Sequence, residues 1–192
     1  MKEDDENTLS GTQHKFPVYE SIAKIEQTKE IIRIYNNLLY SSDIGSKTKI
    51  IKKLFGKIGY GFKIEQPFHC TYGHNIFVGN NFYANTNCEL QDISPIIIGD
   101  NVMLGSEVRI YTIGGYNHIH SDISPEHIPH AKSSPVTIGK DVWIGGSVII
   151  FPGVTIGDNA FILPGSIVTK NIPKNAVASG NPAKIVKYVE EV

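Results

Sequence analysis

The stretch Pro135–Thr169, PVTIGKDVWIGGSVIIFPGVTIGDNAFILPGSIVT, repeats with a period of six. Stepping by six from Val136 gives Val142, Val148, Val154, Ala160 and Ser166, and two positions further on stand Ile138, Ile144, Ile150, Ile156, Ile162 and Val168. A helix repeats its apolar positions at 3.6 and a strand at 2, so a sustained six fits neither. It fits a chain that turns a corner every six residues. Small aliphatic side chains then point inward, and Gly, Asp or Asn takes the left-handed backbone at the corners, where this stretch places Gly139, Gly145, Gly153, Gly157 and Gly165. Three such sides close a triangular coil, which predicts a parallel β-helix of hexapeptide repeats.

The same register recurs upstream. Ile76 and Val78, Phe82 and Ala84, and Cys88 and Leu90 form one run, and Ile96 and Ile98, Val102 and Leu104, and Val108 and Ile110 form a second, two residues out of phase. Ser94 and Pro95 mark the expected insertion, because proline resists continuing a ladder. The register stops at Thr112. Residues 113–134, IGGYNHIHSDISPEHIPHAKSS, are polar and hold four of the seven histidines. A loop of that length thrown out of an economical solenoid is usually functional.

Ahead of the coils the pattern is helical. Ile22, Ile25, Ile31, Ile32, Ile34, Leu38 and Leu39 predict a helix over about Tyr19–Tyr40, and Ile50, Ile51, Leu54 and Phe55 a second over Lys47–Lys57. Such helices would cover the open end of the solenoid. The expected organisation is a disordered tail (1–14), a helical cap (15–61), a β-helix domain (62–187) with an excursion at 112–135, and a short C-terminal tail (188–192).

Composition narrows the function classes. A chain of 192 residues suffices for one domain with a sizeable core. Net charge of −1 and a pI near 6.6 predict no general attraction to nucleic acid or anionic membrane. No apolar run is long enough to span a membrane, and MKEDDENTLS is acidic where a signal peptide is basic then apolar, so a cytoplasmic location is expected. Cys70 and Cys88 fit free thiols in a reducing compartment.

Several segments together resemble the maltose and galactoside O-acetyltransferases: PFHCTYGHNIFVGNNFYANTNCELQD, the loop with Asn117 and His118, PVTIGKDVWIGG, PGVTIGDNA, GSIVTKNIP and GNPAKIVK. The resemblance covers about Pro67–Lys187. It implies a mainly β, left-handed parallel β-helix with an N-terminal helical cap and a protruding loop, acetyl-CoA as co-substrate without a metal, a sugar acceptor, and a homotrimer with sites between subunits. The family's usual Tyr-Asp-Ala-x-Asp-Pro-Glu-Leu opening is absent, and FPVYESIAKIEQ stands in its place.

Acetyl transfer to a hydroxyl needs a base to take the proton as the oxygen attacks, and histidine is largely neutral at cytoplasmic pH. The resemblance places the catalytic base at His118, with His120 as second choice. It assigns acceptor contacts to Asn85 and Asp92. It also aligns Thr71 with a family aspartate that follows PF-x-C, so a charge is missing there. Asp92 equally fits a capped turn. Coenzyme A is expected along the C-terminal coils, at Trp143, Gly146 and Pro164, with Thr169, Lys170, Lys184 and Lys187 near its phosphates. Relatives often carry arginine at the last two positions, so lysine would act as a point charge there. A solvated basic face is the plain alternative for these lysines.

Three other readings fit parts of the pattern. A γ-class carbonic anhydrase would use the His69-x4-His74 pair, but its third ligand, some thirty residues upstream, has only His14 to supply it. An acetyltransferase for serine, an antibiotic or a cell-envelope sugar would keep His118 and alter the acceptor residues. A non-enzymatic solenoid scaffold would need neither the histidine loop nor the C-terminal lysines.

Overall fold

The computed structural model describes residues 13–14, 19–38, 44–116 and 131–189. Strand β1 (Gln13–His14) precedes helices α1 (Tyr19–Asn37) and α2 (Ile44–Leu54). The second helix lies three residues earlier than the apolar spacing predicts, because Lys57 already belongs to the first coil.

Five coils follow. The first is β2 (Lys57–Ile58), β3 (Lys63–Ile64) and β4 (Phe68–Cys70); the second is β5 (Ile76–Val78), β6 (Tyr83–Ala84) and β7 (Cys88–Gln91); the third is β8 (Ile96–Ile98), β9 (Met103–Leu104) and β10 (Arg109–Tyr111). There the chain leaves the solenoid as β11 (Ile113–Tyr116) and returns as β12 (Ala131–Ser133). The fourth coil is β13 (Val136–Ile138), β14 (Trp143–Ile144) and β15 (Ile149–Ile150), and the fifth is β16 (Thr155–Ile156), β17 (Phe161–Ile162) and β18 (Ile167–Val168). Strands β19 (Ala176–Gly180) and β20 (Ala183–Tyr188) close the described chain.

Corresponding strands stack in parallel into the three flat sides of a left-handed parallel β-helix. The pairing Ile76↔Ile96 spans twenty residues and Ile138↔Ile156 eighteen. The two extra residues of the early coils fall at the corner between the third and first sides, where Ser94 and Pro95 stand. Inward positions are fully buried from Ile76 to Val168, including Ile96, Leu104, Ile110, Ile144 and Ile150. Left-handed backbone recurs at Asn81 and Asn87, Asn101 and Glu107, and Asp141 and Ser147, all with φ between 55° and 61°. Asparagine and aspartate tolerate that region because their short polar side chains bond locally. Here Asn81 donates to Asn101, and Asn101 to Asp141, in a ladder up one edge.

The stretch after Thr169 continues the coil for part of a further turn. Ile172 bridges Ile156, and β19 adds a further rung to the second side before β20 folds back antiparallel on it. Ala176 and Ala178 keep the inward positions filled.

The helices cover the first coil and bond its bare backbone. Asn36 both accepts from the N–H of Phe68 (2.9 Å) and donates to its carbonyl (3.0 Å), taking the place of a neighbouring strand. Tyr35 donates to the carbonyl of Ile64 at 2.6 Å, and Thr28 to that of Tyr72 at 3.1 Å. Ile51 and Leu54 of the second helix and Phe55 just beyond its end are buried, the last against Phe68 with ring centroids 5.9 Å apart. Among the described residues, no helix is long and apolar enough to cross a membrane.

Candidate active site

The prism has three edges, and the described residues named from the sequence fall on two of them and on the second side. The edge between the second and third sides carries the corner that follows each second-side strand. Through the pairs Ala84↔Leu104, Leu104↔Ile144 and Ile144↔Ile162, Asn85, Gly105, Gly145 and Leu163 stack in one column, with Thr86, Ser106, Gly146 and Pro164 beside them. The column is tight. A Cβ on Gly105 would lie 2.5 Å from the backbone nitrogen of Gly146, and one on Gly145 would lie 2.6 Å from that of Pro164. Neither glycine has a positive φ, so the requirement is space alone. The carbonyl of Gly146 accepts the N–H of Gly165 at 2.9 Å. Asn85 turns its side-chain oxygen onto the N–H of Thr86 at 2.8 Å.

Trp143 is not an interior residue. It sits at an outward position of β14, half-buried, between Met103 and Phe161 on the neighbouring strands. With Tyr83 these make an apolar stripe down the second side, and Met103 and Leu163 remain exposed. Lys184 and Lys187 lie exposed on β20, at the end of that same side, opposite Ser179 and Val177. Pro164 and both lysines are therefore neighbours of the Trp143 side. Thr169 and Lys170 are not: they follow β18 and stand exposed on the edge between the third and first sides.

The edge between the third and first sides also carries Thr71, Asp92 and the base of the excursion. Asp92 is fully buried. One carboxylate oxygen accepts the N–H groups of Thr71 (2.9 Å) and Tyr72 (2.8 Å), and the other that of Asn75 (3.3 Å). Asn75 in return donates to the carbonyl of Asp92 at 2.9 Å. The side chain thus holds together the turn that absorbs the extra residues of the first coil. Burial pushes the carboxyl up to about 6, outweighing the backbone N–H groups that favour its charge. Cys70 next to it is pushed well up by burial and by the Asp92 charge. Cys70 and Cys88 are both free thiols.

One coil further on, Thr112 takes the equivalent place. Its hydroxyl donates to the carbonyl of Gln91 (2.6 Å) and accepts the N–H of Ser94 (2.9 Å), while Ser94 donates to the hydroxyl of Ser133 (2.9 Å). All three hydroxyls are buried. In the sequence Thr112 is only the point where the register ends; the signal it carries is a hydroxyl at the next inward position, two residues after Ile110. The histidines expected to act, His118 and His120, lie outside the described residues, as do His127 and His130. Among the described residues no three His, Cys, Asp or Glu side chains are grouped to hold a metal.

Residues 135–170 match the sequence model of the family described as bacterial transferase hexapeptide (six repeats), and residues 95–114 match that of the hexapeptide repeat of succinyl-transferase. The chain is 39% identical to the galactoside O-acetyltransferase of Escherichia coli over 155 residues, 81% of this chain and 74% of that one. A maltose O-acetyltransferase from Clostridium difficile superposes with a TM-score of 0.87 at 42% identity, over 98% of both chains. A galactoside acetyltransferase solved in complex with coenzyme A superposes with a TM-score of 0.86 at 35% identity, over 96% of this chain and 90% of that one. The chain belongs to the hexapeptide-repeat sugar O-acetyltransferases, the acyltransferase family of the maltose and galactoside enzymes.

Proposed function

We propose that the protein transfers an acetyl group directly from acetyl-CoA to a hydroxyl of a maltose-, glucoside- or galactoside-type sugar in the cytoplasm. His118 takes the proton from the attacking hydroxyl, which makes the oxygen a competent nucleophile as it meets the thioester carbon. The C–S bond breaks from the tetrahedral intermediate, and the imidazolium returns its proton to the departing thiolate. His120 is the second choice for this role.

The observation that carries the proposal is the column Asn85, Gly105, Gly145–Gly146 and Pro164, stripped of side chains where the coils pack most tightly. Such a corner lets a slender, amide-bearing pantetheine chain approach the backbone. Trp143 offers an apolar wall beside it, and Lys184 and Lys187 offer charge for phosphates at its end. Lys170 and Thr169 stand on another edge, so they serve a phosphate only across a subunit boundary.

The same two-edge arrangement supports a homotrimer. The third side separates the Asn85 column from the excursion; its strand β7 has four residues, about 13 Å at the usual rise. A base carried by an excursion that leaves from one edge would meet the bare corner on the other edge most directly when the two belong to adjacent chains in a closed threefold ring. Asn85 then faces the acceptor from the corner. Asp92 acts by holding the Thr71–Asn75 turn, and Thr71 offers the acceptor a hydroxyl where relatives have a carboxylate.

Thiol release from acetyl-CoA, measured for wild type and His118→Ala with glucosides, galactosides, maltose, serine and chloramphenicol, tests the reading. Sugar-dependent release should fall roughly 10²–10⁴-fold in the variant, about 3–5 kcal/mol of transition-state stabilisation. No release with any acceptor, together with no acetyl-CoA binding, would overturn the transferase reading. Release with serine or chloramphenicol alone would reassign the acceptor class.

A further inference from the structure

Strand β1 pairs antiparallel with β12, Gln13 opposite Lys132 and His14 opposite Ala131. Strand β12 in turn pairs with β11, so the excursion is a three-stranded sheet in the order β1, β12, β11. Two residues at the end of the stretch expected to be a disordered tail thus form its outer strand. The pairing joins the chain's start to the segment thrown out between the third and fourth coils, more than a hundred positions away.

The base and the outer part of this sheet are held differently. At the base, the N–H of Ser134 donates to the carbonyl of Thr112 at 2.8 Å, and the buried hydroxyls of Ser94, Thr112 and Ser133 lock the ribbon to the coil beneath. Gly114 then passes over Pro152 of the fourth coil, where an added Cβ would lie 3.2 Å from its ring. Beyond Gly114 the register shifts before Tyr116. A two-stranded ribbon is marginal in water, and a third strand is the usual remedy.

We propose that strand β1 is a positioning element for catalysis: as the third strand of the excursion sheet it fixes the path on which β11 and β12 leave the coil. The inference rests on the reading of His118 as the base. His118 follows the last residue of β11 by two positions, and two residues of chain reach at most about 7 Å. A ribbon that splays therefore moves the point from which the base is hung, and a misplacement near 1 Å costs on the order of 10²-fold in rate.

Full-length Gln13→Pro/His14→Pro and Gln13→Ala/His14→Ala variants test this. Proline removes the backbone donors of β1, whereas alanine keeps them. In the proline variant kcat should fall about 10²-fold, the KM for acetyl-CoA should stay at the wild-type value, and amide exchange should quicken at residues 113–116 and 131–133 but not in the coils. The alanine variant should behave as wild type. Wild-type kcat in the proline variant overturns the inference, and so does an equal loss in the alanine variant or a general rise in coil exchange. If His118→Ala keeps full activity while the proline variant loses it, the reading of the base fails and the positioning role of β1 stands.

Discussion

The carboxylate of Asp92 accepts the backbone N–H of Thr71 at 2.9 Å across the corner joining the first two coils. That contact links a fully buried acid to the turn carrying a candidate acceptor residue. The turn is tied on its other flank to the first helix through the hydroxyl of Thr28. Under the proposed reading, an acceptor contact made by Thr71 would depend on a buried titratable group for its position.

Asp92 should give stability a distinct pH dependence. The folded chain holds its proton up to about pH 6, against 3.8 for an unburied aspartate. Between those values the native state binds more protons than the unfolded chain. The residue's contribution is full below about pH 3.8 and is lost as pH rises through 6, a change of roughly 3 kcal/mol. Urea unfolding of wild type and Asp92→Asn at pH 4, 5, 6 and 7 isolates it. The stability difference should move in favour of the variant as pH rises, and a pH-independent difference would show that folding does not raise the Asp92 pKa.

Gly105→Ala should damage both stability and coenzyme binding. The new methyl meets the backbone of Gly145 and Gly146, which cannot move without shifting the whole coil. Overpacking of this kind costs about 1–3 kcal/mol. Denaturant midpoints and initial rates should show a lowered midpoint and a raised KM for acetyl-CoA with kcat near wild type. An unchanged KM would place the coenzyme away from this corner.

Trp143 should report coenzyme binding directly, being the one tryptophan in the chain. Acetyl-CoA should change its emission. Lys184→Gln and Lys187→Gln should each raise KM for acetyl-CoA about threefold, as expected of exposed charges on flexible side chains. The effect should vanish near 1 M salt, where screening acts within about 3 Å. A salt-independent loss would mean that the lysines act through the β19–β20 hairpin and not through charge.

Much of this protein is legible in one dimension. The strict period of six from Val136 to Val168 determined the triangular coil, because an inward position recurs only where each side is six residues long. The SerPro insertion at Ser94 and the helical spacing ahead of Lys57 were readable for the same local reason. The bare corner at Gly145 and Gly146 is visible as a departure from side-chain-bearing residues. Tertiary structure alone decided the rest, because it depends on which coil lies above which. That Asp92 caps a turn depends on the N–H groups of Thr71, Tyr72 and Asn75, which converge on it from the previous coil. Trp143 became an outward residue once its neighbours were known to be Met103 and Phe161. Thr169 and Lys170 parted from Lys184 and Lys187 because a solenoid sends successive corners to different edges. Gln13 and His14 carry no periodicity; a two-residue strand becomes visible only when β12, distant in sequence, supplies the backbone partner it needs.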